Sequence, residues 1–114
     1  MKIIYKNKKI EKICLDQKTM TKLYGDMVAK KLNSALIALE AASNLYDIYK
    51  LPQYNLHKLR GNLDGIYSMY LGNTGFRLLI IPLDKNEEVI KSDDMSIYTM
   101  CVCVEIWEVS KHYE

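Results

Sequence analysis

The chain has 114 residues, of which 49% are hydrophobic and 26% charged, with only 5 glycines and 2 prolines. That length and composition exclude a disordered or fibrous protein and leave room for a single domain over residues 1–114. The formal charge of +2 conceals a polarity, because residues 1–62 hold 12 Lys+Arg against 5 Asp+Glu and residues 63–114 hold 4 against 9.

A basic half suits a polyanion such as RNA, although lysines on solvated helix faces give the same count. The 3 cysteines are an odd number and predict free thiols in a reducing compartment rather than a disulfide framework. From Met1-Lys2-Ile3-Ile4-Tyr5-Lys6 onward no unbroken apolar segment forms a signal peptide or a membrane span, so the expected location is the cytoplasm, with no membrane partner.

In chain order, Ile3 to Tyr5 reads as a short strand and Asn7 to Leu15 as a helix, with Ile10, Ile13 and Cys14 at helical spacing. A longer helix is predicted from about Thr21 to Ala42, where Tyr24, Val28, Leu32, Ala35, Leu39 and Ala42 recur at steps of three and four among lysines. Pro52 ends the helical region, since proline lacks an N–H donor and disfavours helical geometry in the residue before it. Ile66 to Leu71, Phe76 to Leu83 and Tyr98 to Val109 then read as three consecutive antiparallel strands. Gly72-Asn73-Thr74-Gly75 is a hairpin loop, and the acidic stretch Asp84 to Asp94 is a longer excursion. Helices followed by strands indicate an α+β fold, with the helices on one face of a small antiparallel sheet and the other face left for chemistry.

Chemistry-bearing residues concentrate after Pro52. Leu56-His57-Lys58-Leu59-Arg60-Gly61 leads towards Gly65-Ile66-Tyr67-Ser68. In extended chain Lys58 and Arg60 share a side and His57 lies opposite unless the backbone turns there. Arg77 stands in the apolar run Phe76-Arg77-Leu78-Leu79-Ile80-Ile81, where a charge needs either a carboxylate such as Glu105 or a ligand. Lys111-His112-Tyr113 follows the last strand, a position where chain ends fray. Cys101-Val102-Cys103 lacks the further ligands that zinc requires, and the only other cysteine is Cys14. The 9 tyrosines count first as core. No glycine-rich phosphate loop, His-Glu-x-x-His or serine-hydrolase signature occurs, so neither a metal nor a cofactor is expected.

These motifs, in this order, resemble the HigB-type toxins of the RelE/ParE superfamily, the small toxins of bacterial type II toxin–antitoxin systems. The family shares Leu-His-x-Leu-Lys/Arg-Gly, Gly-x-Trp/Tyr-Ser, Asn-x-x-Trp/Phe-Arg, Val-Glu-Ile and a terminal histidine. Here these are Leu56 to Gly61, Gly65 to Ser68, Asn73 to Arg77, Val104 to Ile106, and His112. Many members end in Asp-Tyr-His, whereas this chain ends Ser110-Lys111-His112-Tyr113-Glu114.

The resemblance implies a RelE-like fold and metal-independent cleavage of mRNA on the ribosome, with His57, Arg60, Arg77 and His112 as catalytic residues. Such cleavage needs a base for the ribose 2′-hydroxyl, an acid for the leaving oxygen and cations for the phosphate, which are the properties of histidine and arginine. Lys58, Lys111 and Tyr113 are expected to bind substrate. The resemblance further implies neutralisation by a helix-turn-helix antitoxin of the HigA type, with operator DNA bound only through that complex. The basic helices are the expected contact for an acidic antitoxin. Two other readings remain open: a ParE-like toxin that inhibits DNA gyrase without catalysis, and a degenerate member that only docks its antitoxin.

Overall fold

A computed structural model describes residues 1–61, 65–92 and 94–111. The elements in order are β1 (Lys2–Tyr5), α1 (Lys8–Leu15), α2 (Gln17–Ala41), α3 (Tyr46–Tyr49), a 3₁₀ turn (Pro52–Tyr54), β2 (His57–Lys58), β3 (Tyr67–Tyr70), β4 (Phe76–Leu83), α4 (Ser96–Met100) and β5 (Cys103–Lys111). Among the described residues no helix is long and apolar enough to cross a membrane.

Local chemistry explains the helix starts. The Asn7 side chain accepts from Ile10 N at 2.9 Å and so satisfies one of the unpaired amides of the first turn of α1. Asp16 does the same for α2, accepting from Lys18 N at 3.2 Å and Thr19 Oγ1 at 2.6 Å. The Thr19 hydrogen bond holds the Asp16 carboxyl below its ordinary pKa. α2 begins earlier than the periodicity predicts and breaks at Gly25, where φ of 85° and ψ of 169° are accessible to glycine at little cost. From Val28 the predicted stripe holds: Val28, Leu32, Ala35, Leu39 and Ala42 are buried, while Tyr24 is half-buried. At the far end, the Met1 ammonium donates to the carbonyls of Leu39, Glu40 and Ala42, a cation placed on a helix C-terminus. That contact ties β1 to the end of α2.

The sheet has five strands in the order β1-β5-β4-β3-β2. It is mixed rather than purely antiparallel, because β1 runs parallel to β5, pairing Ile3 with Val104 and Tyr5 with Ile106. The remaining pairs are antiparallel. Two further expectations change. Residues from Ser96 to Met100 are helical, and β5 starts only at Cys103; Cys101 N closes that helix on Ile97 O at 3.0 Å. The acidic stretch after Leu83 is no simple excursion, since Val89 bridges back to Leu83 and Ile90 is buried in the core.

Pairing assigns the two sheet faces. Tyr67, Met69, Leu78, Ile80, Val104 and Ile106 join the buried residues of α1 and α2 in the main core. The opposite face carries a smaller cluster of Leu59, Ile66 and Leu79, flanked by Ile81 and Trp107. The three cysteines are free and buried. Burial pushes the Cys14 thiol up to about 12 and that of Cys101 up to about 11.

Candidate functional site

The face away from the helices brings His57, Ser68, Tyr70 and Arg77 together. Two local structures do this. The first is the hairpin between β3 and β4, where Leu71 N donates to Phe76 O at 3.2 Å and Thr74 Oγ1 bridges Leu71 O at 2.8 Å and Phe76 N at 3.1 Å. That turn sets the register in which Tyr70 stands opposite Arg77 and Ser68 opposite Leu79. The second is the 3₁₀ turn after Leu51, ended by Asn55 in the left-handed region at φ 41°. It delivers the chain into β2 so that His57 stands opposite Ser68.

The Arg77 guanidinium carbon lies 3.8 Å from the centroid of the Tyr70 ring. The His57 ring meets the same tyrosine edge to face, with centroids 6.3 Å apart at 84°. Tyr70 therefore bridges the imidazole and the guanidinium. Arg77 Nη1 donates to Phe76 O at 3.1 Å, while its Nε is buried and without a hydrogen bond. A buried N–H with no acceptor is unfavourable, and an arriving anion would relieve it. The hydroxyl of Ser68, two residues before Tyr70 on β3, is likewise buried and without a hydrogen bond.

His57 Nδ1 lies 2.7 Å from Asn55 O. A carbonyl oxygen only accepts, so Nδ1 carries the proton and, in the neutral ring, Nε2 keeps its lone pair. The turn thus selects the tautomer in which the outer nitrogen is a base.

Two of the other predicted site residues, Lys58 and Lys111, lie on the opposite face of the sheet. Lys58 pairs with Tyr67, whose ring belongs to the main core, so the alternation expected from the sequence places it on the opposite face from His57. Arg60 is exposed, and no contact among the described residues joins it to the His57–Tyr70–Arg77 group. Lys111 pairs with Phe76 and holds its ammonium 5.2 Å from that ring's centroid, on the face opposite Arg77. His112 and Tyr113 lie outside the described residues. The Arg77–Glu105 ion pair considered from the sequence is not formed, because Glu105 stands opposite Ile81, further along β4. Among the described residues no group of three or more His, Cys, Asp or Glu gathers to hold a metal ion.

Sequence reasoning overlooked Tyr70. Its only signal was Tyr-x₆-Arg spanning a glycine-flanked loop, which becomes a cross-strand pair only once the turn is known.

No family model and no curated protein matches the sequence. Among solved structures, the chain is similar to one in the YoeB–YefM complex from Staphylococcus aureus, at 20% identity and a TM-score of 0.53, covering 99% of this chain and 98% of that one. What this likeness establishes for the protein is the fold alone, helices packed on a mixed five-stranded sheet as in that chain.

Proposed function

We propose that this protein is the toxin of a type II toxin–antitoxin system and a metal-independent endoribonuclease that cuts mRNA on the ribosome. The observation that carries the reading is the convergence of a histidine with a selected tautomer and a stacked arginine on the open sheet face. The motif resemblance to HigB-type toxins and the fold shared with a chain of a YoeB–YefM complex both support it.

In this mechanism His57 Nε2 takes the proton of the ribose 2′-hydroxyl. The resulting oxygen attacks the adjacent phosphorus, and the Arg77 guanidinium donates to the phosphoryl oxygens as charge builds. The 5′-oxygen leaves with a proton from His112, giving a 2′,3′-cyclic phosphate and a 5′-hydroxyl end. Arg60 supplies a second cation from the exposed segment after β2 and Tyr113 steers the backbone, whereas Lys58 and Lys111, on the other face of the sheet, take no part. The partner is a helix-turn-helix antitoxin of the HigA type, docked on the lysine-rich helices and holding operator DNA.

The test is a translating extract charged with purified protein and scored by mapping new 5′ ends on a defined message. Discrete cuts that vanish in His57→Ala are expected. Arrest of DNA replication with intact messages would instead assign the gyrase-inhibiting mode.

A further inference from the structure

Trp107, the 1 tryptophan of the chain, sits in a β-bulge. Leu79 pairs with Glu108 and Ile80 with Ile106, so Trp107 has no partner on β4. Bulges re-aim a side chain and are common beside active sites. Here the indole packs against the Leu59–Ile66–Leu79 cluster, on the face that carries His57, Tyr70 and Arg77. Lys6 holds its ammonium 4.4 Å from the ring centroid.

β1 stops at Tyr5, opposite Ile106, which leaves the following part of β5 uncovered on that side. A cleft of about 260 Å³ opens there, with Lys6, Lys9, Tyr24, Trp107 and Glu108 in its walls. Its chemistry is that of a nucleotide pocket. Indole and phenol rings offer faces for a base, two ammonium groups suit a phosphate, and a carboxylate accepts from an exocyclic amino group. A cleft of this size takes one planar base more readily than the row of side chains on an added peptide strand.

The cleft meets the site around the edge of β5, since Ile10 and Ile13 of α1, Tyr24 of α2 and Val109 complete its walls from the helix side. Arg77 stands opposite Ser110, and Trp107 lies three residues back along β5, about 10 Å at the usual rise of a strand.

We propose that this cleft binds a nucleotide of the RNA flanking the phosphate held at Arg77. The base stacks on Trp107, and Lys6 swings from the ring to that nucleotide's phosphate. The proposal rests on the nuclease reading for its choice of ligand, but its test reads binding alone.

The intact protein would be titrated with a short single-stranded RNA whose riboses are 2′-O-methylated, which removes the nucleophile. Trp107 emission and RNA anisotropy would be followed together. Both signals should saturate over the same concentration range. Trp107→Ala should weaken binding about 5- to 150-fold, the range for losing one base–aromatic stack, while Trp107→Phe retains most of the affinity and guards against a folding artefact. Lys6→Ala should reduce the salt dependence of binding. RNA binding that leaves Trp107 emission unchanged and is insensitive to Trp107→Ala would overturn the proposal and leave the nuclease reading standing. A flat anisotropy trace would overturn the proposal alone, because cleavage on the ribosome does not require the free protein to hold RNA. An emission change produced by an acidic peptide and not by RNA would assign the cleft to a protein partner and overturn the proposal.

Discussion

Arg77 holds its guanidinium over the ring of Tyr70, its direct partner across the β3–β4 pair, at 3.8 Å. The tyrosine thereby fixes a long, flexible side chain without neutralising it, so the charge remains available to a phosphate. It also touches His57, and one substitution at Tyr70 should disturb both groups. Tyr70→Phe keeps the ring and should cleave mRNA within about twofold of wild type. Tyr70→Leu removes a cation–π contact in the range of about 0.5–2 kcal/mol and should lower the rate roughly 2- to 30-fold, as read by end mapping in a translating extract.

Arg77→Lys keeps the charge but loses the planar fork and its stacking. Lysine does not replace arginine at a stacked, bidentate position. Cleavage should fall by about 10²- to 10³-fold, the effect of removing one preorganised donor from an anionic transition state. An Arg77→Lys variant with wild-type cleavage would remove the arginine from the mechanism.

His57→Ala should lower the rate by about 10²- to 10⁴-fold. His57→Gln is the sharper control, because it preserves much of the shape but cannot carry the proton. Wild-type cleavage by His57→Gln would show that another group is the base.

Gly25→Ala tests the break inside α2. A methyl group there meets nothing within 4 Å, so any cost arises from the backbone at φ +85°. Destabilisation of about 1–3 kcal/mol is expected in urea unfolding. Leu78→Ala, at a side chain with 0% exposure, should cost about 2–5 kcal/mol by leaving a cavity between the sheet and the helices.

Alkaline pH should destabilise the fold through its buried thiols. The Cys14 pKa is raised from 9.0 to about 12 and that of Cys101 to about 11, in both cases mainly by burial. The folded state thus retains protons that the unfolded chain releases. Their contribution to stability is complete below about pH 9 and is lost as pH rises towards 11 and then 12. Urea midpoints measured from pH 7 to pH 10.5 should fall above pH 9, and less steeply in a Cys14→Ala variant. Equal slopes in the two proteins would contradict this assignment.

Periodicity made the helices legible where one face packs and the other is wet, as at Val28, Leu32, Ala35 and Leu39. It misled at Tyr98, because a short apolar run reads alike as a buried strand or as a buried turn of helix, and tertiary packing selected the helix. The start of α2 was missed. Met20, four residues before Tyr24, is buried and extends the stripe, and the Asp16 cap places the helix start before it.

The amino-acid order alone determined the fold class, the concentration of histidine and arginine after Pro52, and the isolation of Arg77 in an apolar run, since these depend only on residue type and spacing. Only the tertiary structure decided which of those groups meet. Registers across four strands place Tyr70 between His57 and Arg77, Lys111 on the opposite face, and Trp107 in a bulge. A shift of one residue in any pairing reverses the face of every side chain, and turn geometry together with burial of the core face sets that shift.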